Sequence, residues 1–228
     1  MGKKIISNEV NQDILNLYKL YKGTVFNDRV PILYNEFEPD NNYILFIGLN
    51  PSFSDNLKGI TNFTEKEYID FFSKSDLNED DVNKIIEMHE KTIQEYPYFQ
   101  KFLEITKIAK LKFAHVDLFH CRITSQKSLA KNLSNQPLYK KESVAILQKI
   151  IDQIKPKIIV VENTLTRNIL IDEFNLFPKL EDIDLSIGTP LYSGKPVFYT
   201  SMLTGQRALD LGSYQRLIWH IQHALKLI

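Results

Sequence analysis

A single asparagine, Asn50, stands where a side chain can do chemistry, at the close of Tyr43-Ile44-Leu45-Phe46-Ile47-Gly48-Leu49-Asn50-Pro51-Ser52. The run of apolar and aromatic residues reads as a strand buried on both faces, as in a parallel sheet covered by helices. Gly48 has no side chain, so another backbone or a ligand can approach closely there. Pro51 fixes its own backbone and biases Asn50 away from helix. The resulting rigid turn presents one carboxamide at the carboxyl end of a strand, the edge at which open α/β sheets bind ligands. The plain alternative is an Asx-type turn at Asn-Pro.

Other residues able to do chemistry form weaker patterns. His115, His120 and Cys121 lie close in sequence, but with one cysteine in the chain their spacing matches no common structural zinc set. No metal and no cofactor is therefore expected. His220 and His223, three apart, share one face of a helix, where packing or exposure accounts for them better than ligation. Glu79-Asp80-Asp81 reads as a solvated helix start. Arg122, Lys127, Lys131, Lys140 and Lys141 make a mildly basic polar stretch that either tracks phosphates or is simply solvated. No Ser-His-Asp order and no phosphate-cradling loop is readable, and only eight glycines are present.

The elements that must position these residues alternate along the chain. Val10, Ile14, Leu17, Tyr18 and Tyr21 fall at helical spacing over 9–22, ending at Gly23. After the strand at 43–49, residues 50–63 read as loop. Thr64-Glu65-Lys66-Glu67 is a capping box opening a helix with Tyr68, Phe71 and Phe72. Asn78 to Asp81 caps a helix to about Gln94, and a further helix is expected at 98–110. A second core strand covers Lys112 to Phe119, followed by a polar loop over 124–136. Leu138 to Ile154 is an amphipathic helix stopped by Pro156. Ile158 to Val161 is a third buried strand, with Asn163 capping the next helix. Pro196 to Ser201 is a fourth strand, with Thr189–Tyr192 a candidate partner across Ser193-Gly194-Lys195. A last helix runs from about 212 to 227. Strands alternating with helices predict an α/β protein, three-layer α/β/α, with a central and mainly parallel four-stranded sheet. Residues 1–228 are read as a single domain with a helical N-terminal extension over about 1–40.

Composition narrows the function classes. A hydrophobic fraction of 43% with 25% charged residues is ordinary for a globular protein. No apolar run approaches a membrane span, and Met1-Gly2-Lys3-Lys4 leads into polar sequence rather than a signal peptide. The lone Cys121 excludes an intramolecular disulfide framework and points to a reducing cytoplasm. Lys plus Arg and Asp plus Glu number 28 each, so no net charge draws the chain to nucleic acid.

Gly48-Leu49-Asn50-Pro51-Ser52, together with this order of elements, resembles the uracil-DNA glycosylase superfamily, nearer its mismatch-specific and single-strand-selective branches. Their first motif reads Gly-x-Asn-Pro-Gly or Gly-x-Asn-Pro-Ser. The resemblance covers roughly residues 40–210 by order and spacing, and by residue identity only in that motif. It implies a DNA glycosylase of base-excision repair, a hydrolase cutting the N-glycosidic bond of a flipped uracil-like or modified base. The implied partner is DNA or another nucleobase-containing ligand. Asn50 would orient the water, and Gly48, Leu49, Pro51 and Ser52 would line the base site. Phe63, fifteen residues beyond Gly48, or Phe53 would stack on the base. Asp117 would read its edge, and as a carboxylate it would favour a base with an exocyclic amine, the plain alternative being that it caps or braces the loop His120-Cys121-Arg122-Ile123-Thr124. The last motif departs from the family. Thr200-Ser201-Met202-Leu203-Thr204-Gly205-Gln206-Arg207 has neither the histidine nor the proline, leaving Ser201, Thr204 or Arg207 to stabilise the leaving base. Two alternatives remain open: a fold relative that binds or hydrolyses a free nucleoside or nucleotide, and a non-catalytic nucleic-acid-binding module.

Overall fold

The computed structural model describes residues 6–35, 37–38, 41–52, 63–205 and 208–228. The chain divides into two compact units, one of helices and one built on a sheet. The helical unit comprises 1–38, 50–96 and 117–153; the remaining segments form the sheet unit.

In the sheet unit, six strands lie in the order β2-β1-β3-β6-β5-β4. They are β1 (Tyr43–Gly48), β2 (Lys112–Asp117), β3 (Ile158–Glu162), β4 (Ile183–Asp184), β5 (Thr189–Tyr192) and β6 (Lys195–Thr200). β1 and β3 are buried along their whole lengths, as their apolar runs require. β1 pairs with β3, and β3 with β6, in parallel. β5 pairs antiparallel with both β6 and β4. The expected four-stranded, mainly parallel sheet is therefore corrected to a mixed sheet of six. The physical reason lies in two tight turns. Ser193 and Gly194 both take positive φ (47° and 76°), the pairing that lets a two-residue loop join antiparallel strands. The Asp184 carboxylate accepts from the Ser186 and Ile187 amides at 2.9 and 3.1 Å, which folds β4 back onto β5.

Two helices of this unit pair with each other, Gln100–Ala109 and Leu211–Leu225. The Tyr214 hydroxyl meets the Lys101 carbonyl and the Glu104 carboxylate, each at 2.9 Å. Phe102 lies edge-on to Phe46 of β1 at 5.1 Å between centroids.

The helical unit holds α-helices at Ile6–Leu20, Glu65–Phe72, Glu79–Glu95, Gln126–Ser134 and, running to the unit boundary, Pro137–Ile154. Thr64 with Glu67 and Asn78 with Asp81 form reciprocal capping boxes, which set where two of them start. Lys149 meets Asp13 at 2.7 Å and so ties the first of these helices to the last. Tyr139 stacks on Phe26 at 4.1 Å and meets Tyr21 edge-on at 4.9 Å. The polar stretch 124–136, expected as loop, contains the helix Gln126–Ser134. Ser125 caps it, and Leu129 and Leu133, one turn apart, are its two buried residues. Two apolar residues are too few to show a period in sequence.

Candidate functional site

Beyond β1 the chain turns at Leu49-Asn50-Pro51, and Asn50 is half-buried. Its Nδ2 donates to the carbonyls of Ile123 (2.8 Å), Cys121 (3.2 Å) and Pro51 (3.2 Å). Three carbonyl oxygens facing one end of a carboxamide fix its orientation, because only the NH₂ end can donate. Oδ1 points the other way and has no hydrogen-bond partner among the described residues. The donor half of the asparagine thus clamps the turn after β1 to the loop after β2, and the acceptor half is left over.

The loop after β2 is braced from a second side by the segment 30–34. Ile32 N–H donates to the His120 carbonyl (3.1 Å), and Arg122 Nε donates to the Val30 carbonyl (3.1 Å). Asp117 N–H donates to the Tyr34 hydroxyl at 2.9 Å. The Tyr34 backbone is itself held by Asn11, which accepts from its N–H (2.9 Å) and donates to its carbonyl (2.7 Å).

The Tyr34 hydroxyl, which accepts from Asp117 N–H, also lies 3.4 Å from His120 Nδ1. The other ring nitrogen, Nε2, is a buried atom with no hydrogen-bond partner among the described residues. Burial holds His120 neutral, pushing its pKa down to about 3 from 6.5. The unfolded chain therefore binds a proton between these values that the native protein does not. Stability is full above about pH 6.5 and falls as the pH drops towards 3. The slope expected from this one group is at most about 1.4 kcal/mol per pH unit. His120→Gln, which cannot titrate, is expected to flatten the acid limb of a urea-denaturation series run from pH 7 to pH 4. An unchanged limb would mean that the native imidazole protonates freely.

The neighbouring Cys121 is buried, and its thiol is pushed up to about 12 by that burial, so it is no nucleophile. His115, His120 and Cys121 do three separate jobs. His115, in the sheet unit, lies against Phe99 and Phe102 and meets Glu162 with Nε2 to Oε1 at 2.9 Å. Both partners are buried, with side-chain exposures of 4% and 2%. They sit on β2 and β3, either side of β1. Ile47 registers with Val161, so Gly48 lies beside Glu162. Phe46 and Phe113 pack together at 6.0 Å, and Gly48 and His115 each lie two residues further along the same face. The His115–Glu162 bond therefore crosses β1 over Gly48, spanning two ladder spacings of about 4.8 Å. A side chain at position 48 would occupy that path.

The other residues singled out in the sequence divide between the two units. Asp117, the last residue of β2, is buried and counts with the helical unit, where Pro51 is half-buried and Ser52 exposed. Phe63 is half-buried there, 5.6 Å from Phe71, with Lys84 Nζ 4.3 Å over its ring. One face of that ring is therefore occupied by a cation. Gly48 and the buried Leu49 belong to the sheet unit, as do Ser201, exposed, and Thr204, whose buried Oγ1 has no partner among the described residues. Phe53 and Arg207 lie outside the described residues. Among the described residues no group of three or more His, Cys, Asp or Glu side chains is placed to hold a metal, and no helix is long and apolar enough to cross a membrane. Sequence reasoning missed Tyr34, in a stretch without periodicity, and Glu162, whose charge at the end of an apolar strand was the available signal.

Fold and site together define an α/β protein with a mixed sheet and a clamped asparagine turn following its β1 strand. No protein-family model matches the chain, and a search of curated proteins returns no match.

Proposed function

We propose that this protein is a divergent DNA glycosylase-like hydrolase, related to the uracil-DNA glycosylase superfamily and sharing its three-layer architecture. It acts on the N-glycosidic bond of a uracil-like or modified base. The supporting observation is the Asn50 carboxamide: its NH₂ is consumed by three carbonyls, so its oxygen is the group available to accept a hydrogen bond from an attacking water. A neutral amide is a weak base, so catalysis rests on positioning the water and stabilising the departing base. Asp117, the buried last residue of β2, is the candidate reader of the base edge.

The test is a screen of oligonucleotides carrying uracil, hypoxanthine, xanthine or alkylated bases. Base release by the wild-type chain is expected for at least one of them, with Asn50→Ala about 100-fold slower on it, as for loss of one preorganised polar group. An equal rate in the variant would remove Asn50 from the mechanism. A second reading, a nucleoside- or nucleotide-binding relative without turnover, is favoured by the same three hydrogen bonds, since they give Asn50 a purely structural use. Binding of a nucleotide with no base released from any substrate would select it.

A further inference from the structure

Arg122 is unusual among the cations of the helical unit. Its Nε is committed to the Val30 carbonyl at 3.1 Å, and its guanidinium carbon lies 5.0 Å from the centre of the Phe72 ring. Val30 is fixed in turn, its N–H donating to the Phe72 carbonyl at 2.9 Å. The guanidinium is thus anchored at one edge and stacked on one face. Its two NH₂ groups make no hydrogen bond, and no carboxylate lies within 4.0 Å, among the described residues. Asp117 attracts it from beyond contact range, and Arg29, next to Val30 in the chain, repels it more weakly. A forked, half-buried, preoriented pair of donors beside a second cation matches the oxygens of a phosphate, which Arg binds bidentately.

We propose that Arg122, flanked by Arg29, is a binding site for a phosphate oxyanion. Free phosphate and a nucleic-acid phosphodiester share this chemistry. The site stands apart from any glycosidic cleavage, because it needs neither Asn50 nor a base.

The test uses two probes with the full chain: inorganic phosphate and an abasic single-stranded oligonucleotide, which offers phosphodiesters but nothing to excise. Calorimetric titration is expected to show binding of at least one, weakened tenfold or more by Arg122→Gln and about threefold by Arg29→Gln. Arg122→Lys should recover only part of the loss, since an ammonium cannot reproduce the fork. If the oligonucleotide binds, Arg122→Gln should also lower the slope of log affinity against log salt by about 0.7, the value for one single-strand phosphate contact. Loss for phosphate alone assigns a free anion, and loss for the oligonucleotide assigns the nucleic-acid backbone. Should Arg122→Gln disturb the fold, as a thermal melt would reveal, Arg29→Gln carries the test. Wild-type affinity for both probes in both Gln variants, or no binding of either probe by the wild type, would overturn the site. Neither result bears on base release in the oligonucleotide screen.

Discussion

Glu162→Ala is expected to destabilise the protein by about 2–3 kcal/mol, the upper range for removing one partner of a buried hydrogen bond and leaving the other unsatisfied. Glu162 and His115 have side-chain exposures of 2% and 4%, so solvent cannot replace the lost carboxylate. The imidazole would be left in a cage of Phe99 and Phe102, whose ring centres lie 5.2 and 5.5 Å away. The pair itself adds little net stability. Oε2 of Glu162 is buried with no hydrogen-bond partner among the described residues, and such a group costs about 1–3 kcal/mol. The double variant His115→Leu/Glu162→Leu is accordingly expected to recover most of the loss, since apolar residues often replace such pairs at no cost. Gly48→Val should resemble the single variant, because its side chain would enter the path of the bridge. Urea midpoints for the three variants check this. A loss below about 1 kcal/mol in Glu162→Ala would show that the contact is not a desolvated pair.

Asn50→Asp is expected to be more damaging than Asn50→Ala, although it is the smaller change in shape. Alanine removes the two N–H donors that three carbonyls share and leaves those carbonyls at a half-exposed position where water can reach them, a loss of about 1–2 kcal/mol. Aspartate points an anionic oxygen at the carbonyls of Ile123, Cys121 and Pro51, which now face Nδ2 at 2.8, 3.2 and 3.2 Å. Repulsion then adds to the loss, and about 2–4 kcal/mol in all is expected, trimmed by the partial exposure of the site. The acid dependence follows. Acceptors crowding a carboxyl group favour its protonated form and raise its native pKa. The native variant then binds a proton that its unfolded chain does not, and the deficit shrinks as the pH falls through the raised value. Denaturation of the three proteins at pH 5 and pH 8 tests this. If Asn50→Asp matches wild type at pH 8, the NH₂ end of the carboxamide does not face the three carbonyls.

What was legible in sequence depended on how local the cause was. The capping boxes at Thr64 and Asn78 were readable because both partners lie within four residues. The strands β1 and β3 were readable because burial on both faces demands unbroken apolar runs. The turn at Ser193-Gly194 was visible as a candidate hairpin, yet its consequence, an antiparallel half that makes the sheet mixed, depends on which strand β6 joins.

The site divides along the same line. Sequence alone determined that an asparagine would follow a buried strand in a proline-stiffened turn, because strand, glycine and proline act on their immediate neighbours. Only the tertiary structure decided which end of its carboxamide is free, since the three carbonyls that hold Nδ2 include two from a loop more than seventy residues away. It likewise decided that a histidine–glutamate bridge crosses β1 over Gly48, that the Tyr34 hydroxyl meets His120, and that, among the described residues, Arg122 keeps two donors in reserve. Each of these rests on side chains brought together by packing, and no local spacing in a chain encodes which distant partners will meet.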